Sequence, residues 1–403
     1  MSEPTTIVRF STKLNGYQVP TSNYDVPLSL TRLGLSKLIN TLLQLETHIP
    51  FDFIVNGDFL RKTLGEHLTE RDMSKEAVTE IEYTVALPAP EETWENDEKN
   101  WITCLRGVNG YLFSGNNISQ ITATQVSGKE IGQINWMTSP KFVKSISVSH
   151  ANSHVGIAAC GKSNTITIYA FENETFHEES ILKGHTGSVE SVCYSPDGQH
   201  LVSGSWDSTV NIWDLQNYNT PVQTSPLRTK SATKTVTAYM PITGHSQAVT
   251  KVLWPVEAQL FSSSLDGSIA LWDASNGSMI SAYKPGKTTL CLDYSTNNNL
   301  LLSGHNDCII RISDPRQKNV AMKLMKSHVA MVQDVQWHPL SPYLFASAAF
   351  DYSIKVWDIR SVTPLCTIPL KGKGTAVCWN EKGDEFYSAS SYGRLAAHRF
   401  THN

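Results

Sequence analysis

Between Gly184 and Asp214 the chain reads GHTGSVESVCYSPDGQHLVSGSWDSTVNIWD. Three short runs in this stretch alternate apolar and polar residues, the period of a half-buried strand. Ser195-Pro196-Asp197-Gly198 separates the first run from the second with strong turn residues, and Ser205-Trp206-Asp207-Ser208 separates the second from the third. The pattern returns from Gly244-His245 to Trp272-Asp273 and from Ser327-His328 to Trp357-Asp358. His185, Val189, Val192 and Tyr194 recur as His245, Val249, Val252 and Trp254, then as His328, Val332, Val335 and Trp337. An Asp (Asp207, Asp266, Asp351) stands six residues before each closing Trp (Trp213, Trp272, Trp357), and a Ser (Ser203, Ser262, Ser347) four before each Asp.

This unit resembles a WD40 repeat, which supplies the strands of a propeller blade. In such repeats the turn Asp, the imidazole, the strand Ser and the indole N–H form one hydrogen-bonded chain, which makes a buried carboxylate and imidazole tolerable. The same three residue types would also make a hydrolase triad. A catalytic triad occurs once, however, and this set occurs three times at equal spacing. Degenerate copies follow from the same offsets. Ser303, Asp307 and Ser313 mark one, and Tyr169 and His398 take the closing position in two more. Closing positions are then separated by 44, 59, 41, 44 and 41 residues. A weaker copy beginning at Trp101 completes a count of seven blades. The separation of 59 implies about 15 extra residues within 215–243, which carry Arg228, Lys230 and Lys234 and no acid. This insertion follows a third strand, so it is expected at the rim or bottom of the ring. It reads either as a surface loop or as a basic arm able to touch RNA phosphates.

Residues 1–87 follow another pattern. Thr6–Thr12 reads as a strand, and Tyr17–Leu30 contains a second. Leu35, Leu38, Ile39, Leu42 and Leu43 form one helical face, with Thr31 available as its cap. PFDFIVNGDFL is a strand entering an Asn-Gly turn, and VTEIEYTVAL is a closing strand. The order is that of a β-grasp, and FIVNGDFLRKTLGEHL resembles the middle of ubiquitin; an unrelated small α+β domain is the alternative. The domain runs on into LPAPEETWENDEKN without a free Gly-Gly tail, so it is expected to dock rather than to be conjugated. Residues 88–100 hold two prolines and five acids against Lys99, which favours an extended linker. Their first part could also supply the outer strand that the last blade lacks. The fold class is therefore mainly β: a seven-bladed WD40 β-propeller over 101–403, preceded by a small ubiquitin-like β-grasp (α+β) domain.

Composition removes several functions. A net charge of −4 gives no whole-chain field for nucleic acid or an acidic membrane. No apolar run approaches the ~18–20 residues of a membrane span, and MSEPTTIVRF lacks the shape of a signal peptide. Seven cysteines without Cys-x-x-Cys, among them Cys193, Cys291, Cys308 and Cys378 in expected strands, suit reduced thiols in a reducing compartment. No zinc-ligand cluster or phosphate-cradling glycine loop is present, and no cofactor of its own is expected.

Together the two domains resemble ribosome assembly factors that join a Notchless-type N-terminal domain to a WD40 propeller. PFDFIVNGDFLRKTL and SKEAVTEIEYT carry that likeness. Seven blades and the basic insertion favour the Ytm-type subunit of the complex containing pescadillo and the block-of-proliferation protein over the eight-bladed Notchless paralogue. The resemblance implies a nucleolar and nucleoplasmic scaffold of the pre-60S particle that binds the block-of-proliferation partner through its propeller. It also implies that the midasin AAA ATPase grips the ubiquitin-like domain, with one loop carboxylate completing a Mg²⁺ site held by midasin. By its place in SKEAVTEIEYT that carboxylate is Glu76, with Asp72 as runner-up. A propeller-type substrate receptor of a ubiquitin ligase is the competing class, and it would need a ligase-docking element that the chain does not display. An enzyme would need a catalytic set that does not repeat.

Overall fold

The computed structural model describes residues 3–73, 77–135, 142–149, 155–216, 234–317 and 321–400. They fall into two compact units, one built mainly from Met1–Ala89, the other from Pro90–Val356 with Cys366–Thr401.

The first unit is a mixed five-stranded sheet around a helix. Strands β1 (Thr5–Ser11), β2 (Asn23–Pro27), β3 (Phe51–Val55), β4 (Asp58–Phe59) and β5 (Thr79–Val85) lie in the order β2-β1-β5-β3-β4. β1 and β5 run parallel, and the other pairs antiparallel. That is the grasp order. The alternation in β1 buries Thr6, Val8 and Phe10 and leaves the residues between them exposed. Helix α1 (Arg32–Leu43) inserts Leu35 and Ile39 into this core. It is latched by Asn40, whose amide donates to the Ile49 carbonyl (2.7 Å) and accepts from the Ile49 N–H (2.8 Å). Thr31 occupies the N-cap position in extended conformation, but its side chain makes no capping bond. The capping is found instead at α2 (Leu64–Glu70), where Thr63 and Glu66 form a reciprocal capping box. Asn56 and Gly57 both take positive φ (50° and 80°), as a tight two-residue hairpin turn demands.

The second unit holds seven sheets, each with an antiparallel four-stranded core, and the chain starts each at the centre and works outward. The innermost strands begin at Ile102, Val143, Val189, Val249, Thr289, Val332 and Gly374. Each packs on the next, and the last packs on the first, so the ring closes. Side chains of inner strands staple neighbouring blades through backbone N–H groups. Ser147 Oγ accepts from Tyr194 (3.0 Å), Asp293 from Trp337 (2.6 Å), Gln336 from Trp379 (2.7 Å) and Cys378 Sγ from Gly107 (3.1 Å). Burial lifts the Asp293 carboxyl to about 6.

Three points refine the reading of the repeat. The stretch from Gly-His to Trp-Asp covers only three strands of a blade: Val189–Tyr194, His200–Ser205 and Val210–Asp214 in the first full copy. The fourth, Met240–Ile242, returns after the insertion. For 88–100, where extended linker and outer strand were both open, the structure has β6 (Glu91–Asp97). It pairs antiparallel with Arg394–Arg399 as the outer strand of the last blade. Cys308, expected in a strand, sits in a turn with φ 67°. None of the seven cysteines forms a disulfide.

Candidate partner-binding surfaces

The repeated His, Ser, Asp and Trp positions come together inside single blades. His185 Nδ1 lies 2.9 Å from Asp207, its Nε2 lies 2.7 Å from Ser203 Oγ, and Trp213 Nε1 donates to the same oxygen at 2.8 Å. The next blade repeats this with His245 to Asp266 (3.2 Å), His245 to Ser262 (2.7 Å) and Trp272 to Ser262 (2.7 Å). His328 lies 2.7 Å from both Asp351 and Ser347, and Trp357 is fully buried. A carboxylate can only accept, so Nδ1 carries the proton and Nε2 accepts from the serine hydroxyl. This is the connectivity of a hydrolase triad, yet Ser203, Ser262 and Ser347 have no solvent exposure. No substrate carbonyl can reach them, and the networks serve the turns.

The electrostatics agree with that role. Burial pushes the Asp207 carboxyl up, but the Thr209 hydroxyl, His185 and the Thr186 and Thr209 N–H groups outweigh it and hold it at about 2. Asp351 is held at about 2 by the same balance, with His328 and Ser353 as its donors, and Asp266 lies lower still. Burial lowers the imidazoles of His185 and His245.

The degenerate blades reach the same serine by other routes. In the fifth, Asp307 is taken by a bidentate Arg311 (3.0 and 2.7 Å), and the imidazole comes from His305 at the end of the second strand, 2.8 Å from Ser303. In the seventh, His398 stands where the Trp would and bonds Ser388 at 2.8 Å. Burial, helped by Arg311 and Arg394 respectively, pushes both imidazoles down to about 4. The His305 route escaped the sequence reading, which followed Ser303, Asp307 and Ser313; the signal was a His two residues before the turn Asp.

Of the acids considered as a ligand to a partner's metal, Glu76 lies outside the described residues. Asp72 is exposed, with φ 52°, in the turn after α2. That turn is tied down by the Met73 N–H on the Leu68 carbonyl (2.9 Å). Of the insertion, Arg228 and Lys230 lie outside the described residues. The backbone of Lys234–Val236 is described, and it pairs in parallel with Ser180–Leu182 as a fifth strand on the second blade. No group of three potential metal ligands occurs among the described residues. No described helix is long and apolar enough to cross a membrane.

The architecture defines a WD-repeat propeller protein with an N-terminal domain of the NLE type. Residues 6–68 match the NLE (NUC135) domain, and 176–214, 236–273, 281–314 and 320–358 match the WD domain, G-beta repeat. The ribosome biogenesis protein WDR12 homolog of Chlamydomonas reinhardtii is 30% identical over 404 residues, covering 91% of this chain and 90% of its own length. Its counterpart in Oryza sativa is 27% identical over 423 residues (96% and 95%), and that of Nematostella vectensis 28% over 378 (90% and 91%). The chain belongs to the family of ribosome biogenesis protein WDR12 homologues.

Proposed function

We propose that the protein is a non-catalytic scaffold in ribosome biogenesis, acting in assembly of the large (60S) subunit and pre-rRNA processing in the nucleolus and nucleoplasm. The observation that carries this reading is the pairing of an NLE domain with WD repeats in a chain that aligns over about nine-tenths of the length of relatives that bear that name. In this reading the propeller binds a block-of-proliferation type WD-repeat protein, and pescadillo joins through that complex. The N-terminal domain presents Glu76, or failing it Asp72, to a Mg²⁺ ion held by midasin. A carboxylate replacing one water on a hard, near-octahedral cation is suitable chemistry. The sealed Ser-His-Asp sets give no support to a hydrolase.

Gradient sedimentation of the tagged chain, with depletion alongside, tests the scaffold role. The chain should travel with large-subunit precursors, and its loss should lower the 60S to 40S ratio. A chain confined to the top of the gradient, with an unchanged ratio on depletion, overturns the reading.

A further inference from the structure

One face of the propeller is built by the turns after each second strand and by the connectors that lead from one blade's outer strand to the next inner strand. Large apolar side chains stand open there: Val329 is 84% exposed, Tyr392 68%, Tyr352 47% and Met331 40%. Hydrogen bonds link their turns into one continuous patch. The Val329 N–H donates to Asp351 (3.1 Å), the Phe350 N–H to the Met331 carbonyl (3.0 Å) and the Leu370 N–H to the Tyr352 carbonyl (2.7 Å). The Lys373 N–H donates to Ser391 Oγ (3.0 Å), beside Tyr392.

The patch is basic at its edges. Connectors 284–288, 326–331 and 370–373 carry Lys284, Lys287, Lys326, Lys371 and Lys373 and no acid of their own; Lys371 is paired with Glu95 of β6 at 3.8 Å. Asp207, Asp266 and Asp351 on the neighbouring turns already hold several donors each. Lys373 Nζ lies 5.1 Å over the Phe350 ring, and Lys162 Nζ 4.7 Å over Phe142. Trp101 packs between these two rings, its centroid 6.0 Å from Phe142 and 6.5 Å from Phe350.

These three aromatics also line a cavity of about 290 Å³ that reaches the inner strands. Its charges are mostly paired: Lys144 with Glu190 (3.2 Å) and Arg106 with Asp334 (3.8 Å). Lys251, on the same wall, has no carboxylate within ion-pair distance among the described residues. Trp101 Nε1 and Thr375 Oγ1, also on the wall, are buried without a hydrogen-bond partner. A cation and two polar atoms without partners suit an incoming carboxylate, because a buried donor left unmade is costly.

We propose that this face docks an acidic segment of a protein partner, which lays apolar side chains over Val329, Met331, Tyr352 and Tyr392 and sends one carboxylate to Lys251, Trp101 Nε1 and Thr375. A protein segment fits better than RNA. The open surface includes aliphatic groups that offer bases no stacking plane. The inference goes beyond the scaffold reading, since it names a face and a ligand chemistry and needs no ribosomal particle.

The test titrates the full chain by fluorescence anisotropy with three labelled probes: a peptide alternating Glu and Leu, the same peptide with Lys for Glu, and an oligouridylate. The acidic peptide should bind, more weakly as salt rises. Val329→Asp and Lys373→Glu, both at exposed positions, should each raise its Kd roughly tenfold. Lys251→Met should raise it while leaving the circular dichroism spectrum unchanged. Met279→Asp, on the outer strand of the fourth blade, should not change it. Equal binding of both peptides, no binding of the acidic one, or preference for the oligouridylate overturns the proposal. None of those three results touches the sedimentation test of the scaffold role.

Discussion

Replacing Asp207 by Ala removes the acceptor around which one blade turn is folded. Its two oxygens accept from His185 Nδ1 (2.9 Å), the Thr186 N–H (2.9 Å), the Thr209 N–H (3.0 Å) and the Thr209 hydroxyl (2.6 Å). Thr186 is exposed and Thr209 partly so, and water can replace the carboxylate at both. The His185 side chain has no exposed surface, so its ring N–H is stranded apart from a 3.2 Å approach of the Thr209 hydroxyl. One stranded donor costs about 1–3 kcal/mol, and loss of the turn bonds adds about 1 kcal/mol. The expected total of about 2–4 kcal/mol lowers the melting temperature of a domain this large by roughly 4–8 °C. Asp207→Asn keeps an acceptor oxygen and should cost less than half as much. Differential scanning calorimetry of the full chain, with circular dichroism at each end point, measures both. A midpoint for Asp207→Ala within one degree of wild type, or equal losses for Ala and Asn, would refute the claim that the buried imidazole proton is what the carboxylate serves.

The remaining expectations are independent of that one. Asp207 and Asp351 are held at about 2 against 3.8 in the unfolded chain, so the stability they supply is complete above about pH 4 and lost as pH falls toward 2. Asp293, lifted to about 6, is already protonated in that window, and Asp207→Asn should flatten the acid limb of an unfolding curve. Glu76→Ala should abolish Mg²⁺-dependent capture by the midasin domain and leave propeller binding intact; capture that survives the mutation yet still responds to a chelator would sink the assignment. Alanine at Arg228, Lys230 and Lys234 together should weaken crosslinking to RNA and flatten its salt dependence, and equal loss of protein-partner binding would point to a folding defect instead.

What could be read from the chain alone follows the physics of local patterns. The turn networks recur at fixed offsets because each blade solves the same problem, so His185, His245 and His328 stood out before any coordinates. The grasp domain was legible for a similar reason: α1 shows one apolar face, and Asn56-Gly57 names its own turn type. Positions set by long-range pairing did not show. His305 reaches Ser303 from its own strand because Arg311 occupies the turn Asp, a substitution that only the packed blade explains. The inter-blade staples at Ser147, Asp293 and Cys378 occupy the same place in their inner strands, but the residue type changes from blade to blade, and that hides them in the chain. The parallel strand Lys234–Val236 depends on which blade edge lies nearby, and composition does not encode that.

The pairing of β6 with Arg394–Arg399 sets a clock on synthesis. Thr93 and Glu385, hydrogen-bonded at 3.1 Å, are 292 residues apart. At ordinary elongation rates Trp94 and its strand wait on the order of tens of seconds for the partner that covers them. Throughout that interval six blades can stack, since each needs only its neighbour, while both edges of the future seam stay open to chaperones or to a second chain. The seam also leaves no room for variation at its tip. The Gly393 carbonyl accepts from the Glu98 N–H at 2.7 Å, and a Cβ on Gly393 would lie 1.4 Å from the Glu98 carbonyl oxygen. A chain that stops before residue 394 can still pack the inner strand from Gly374 on the one from Ile102, but its last blade lacks the strand that pairs with β6 and covers Trp94.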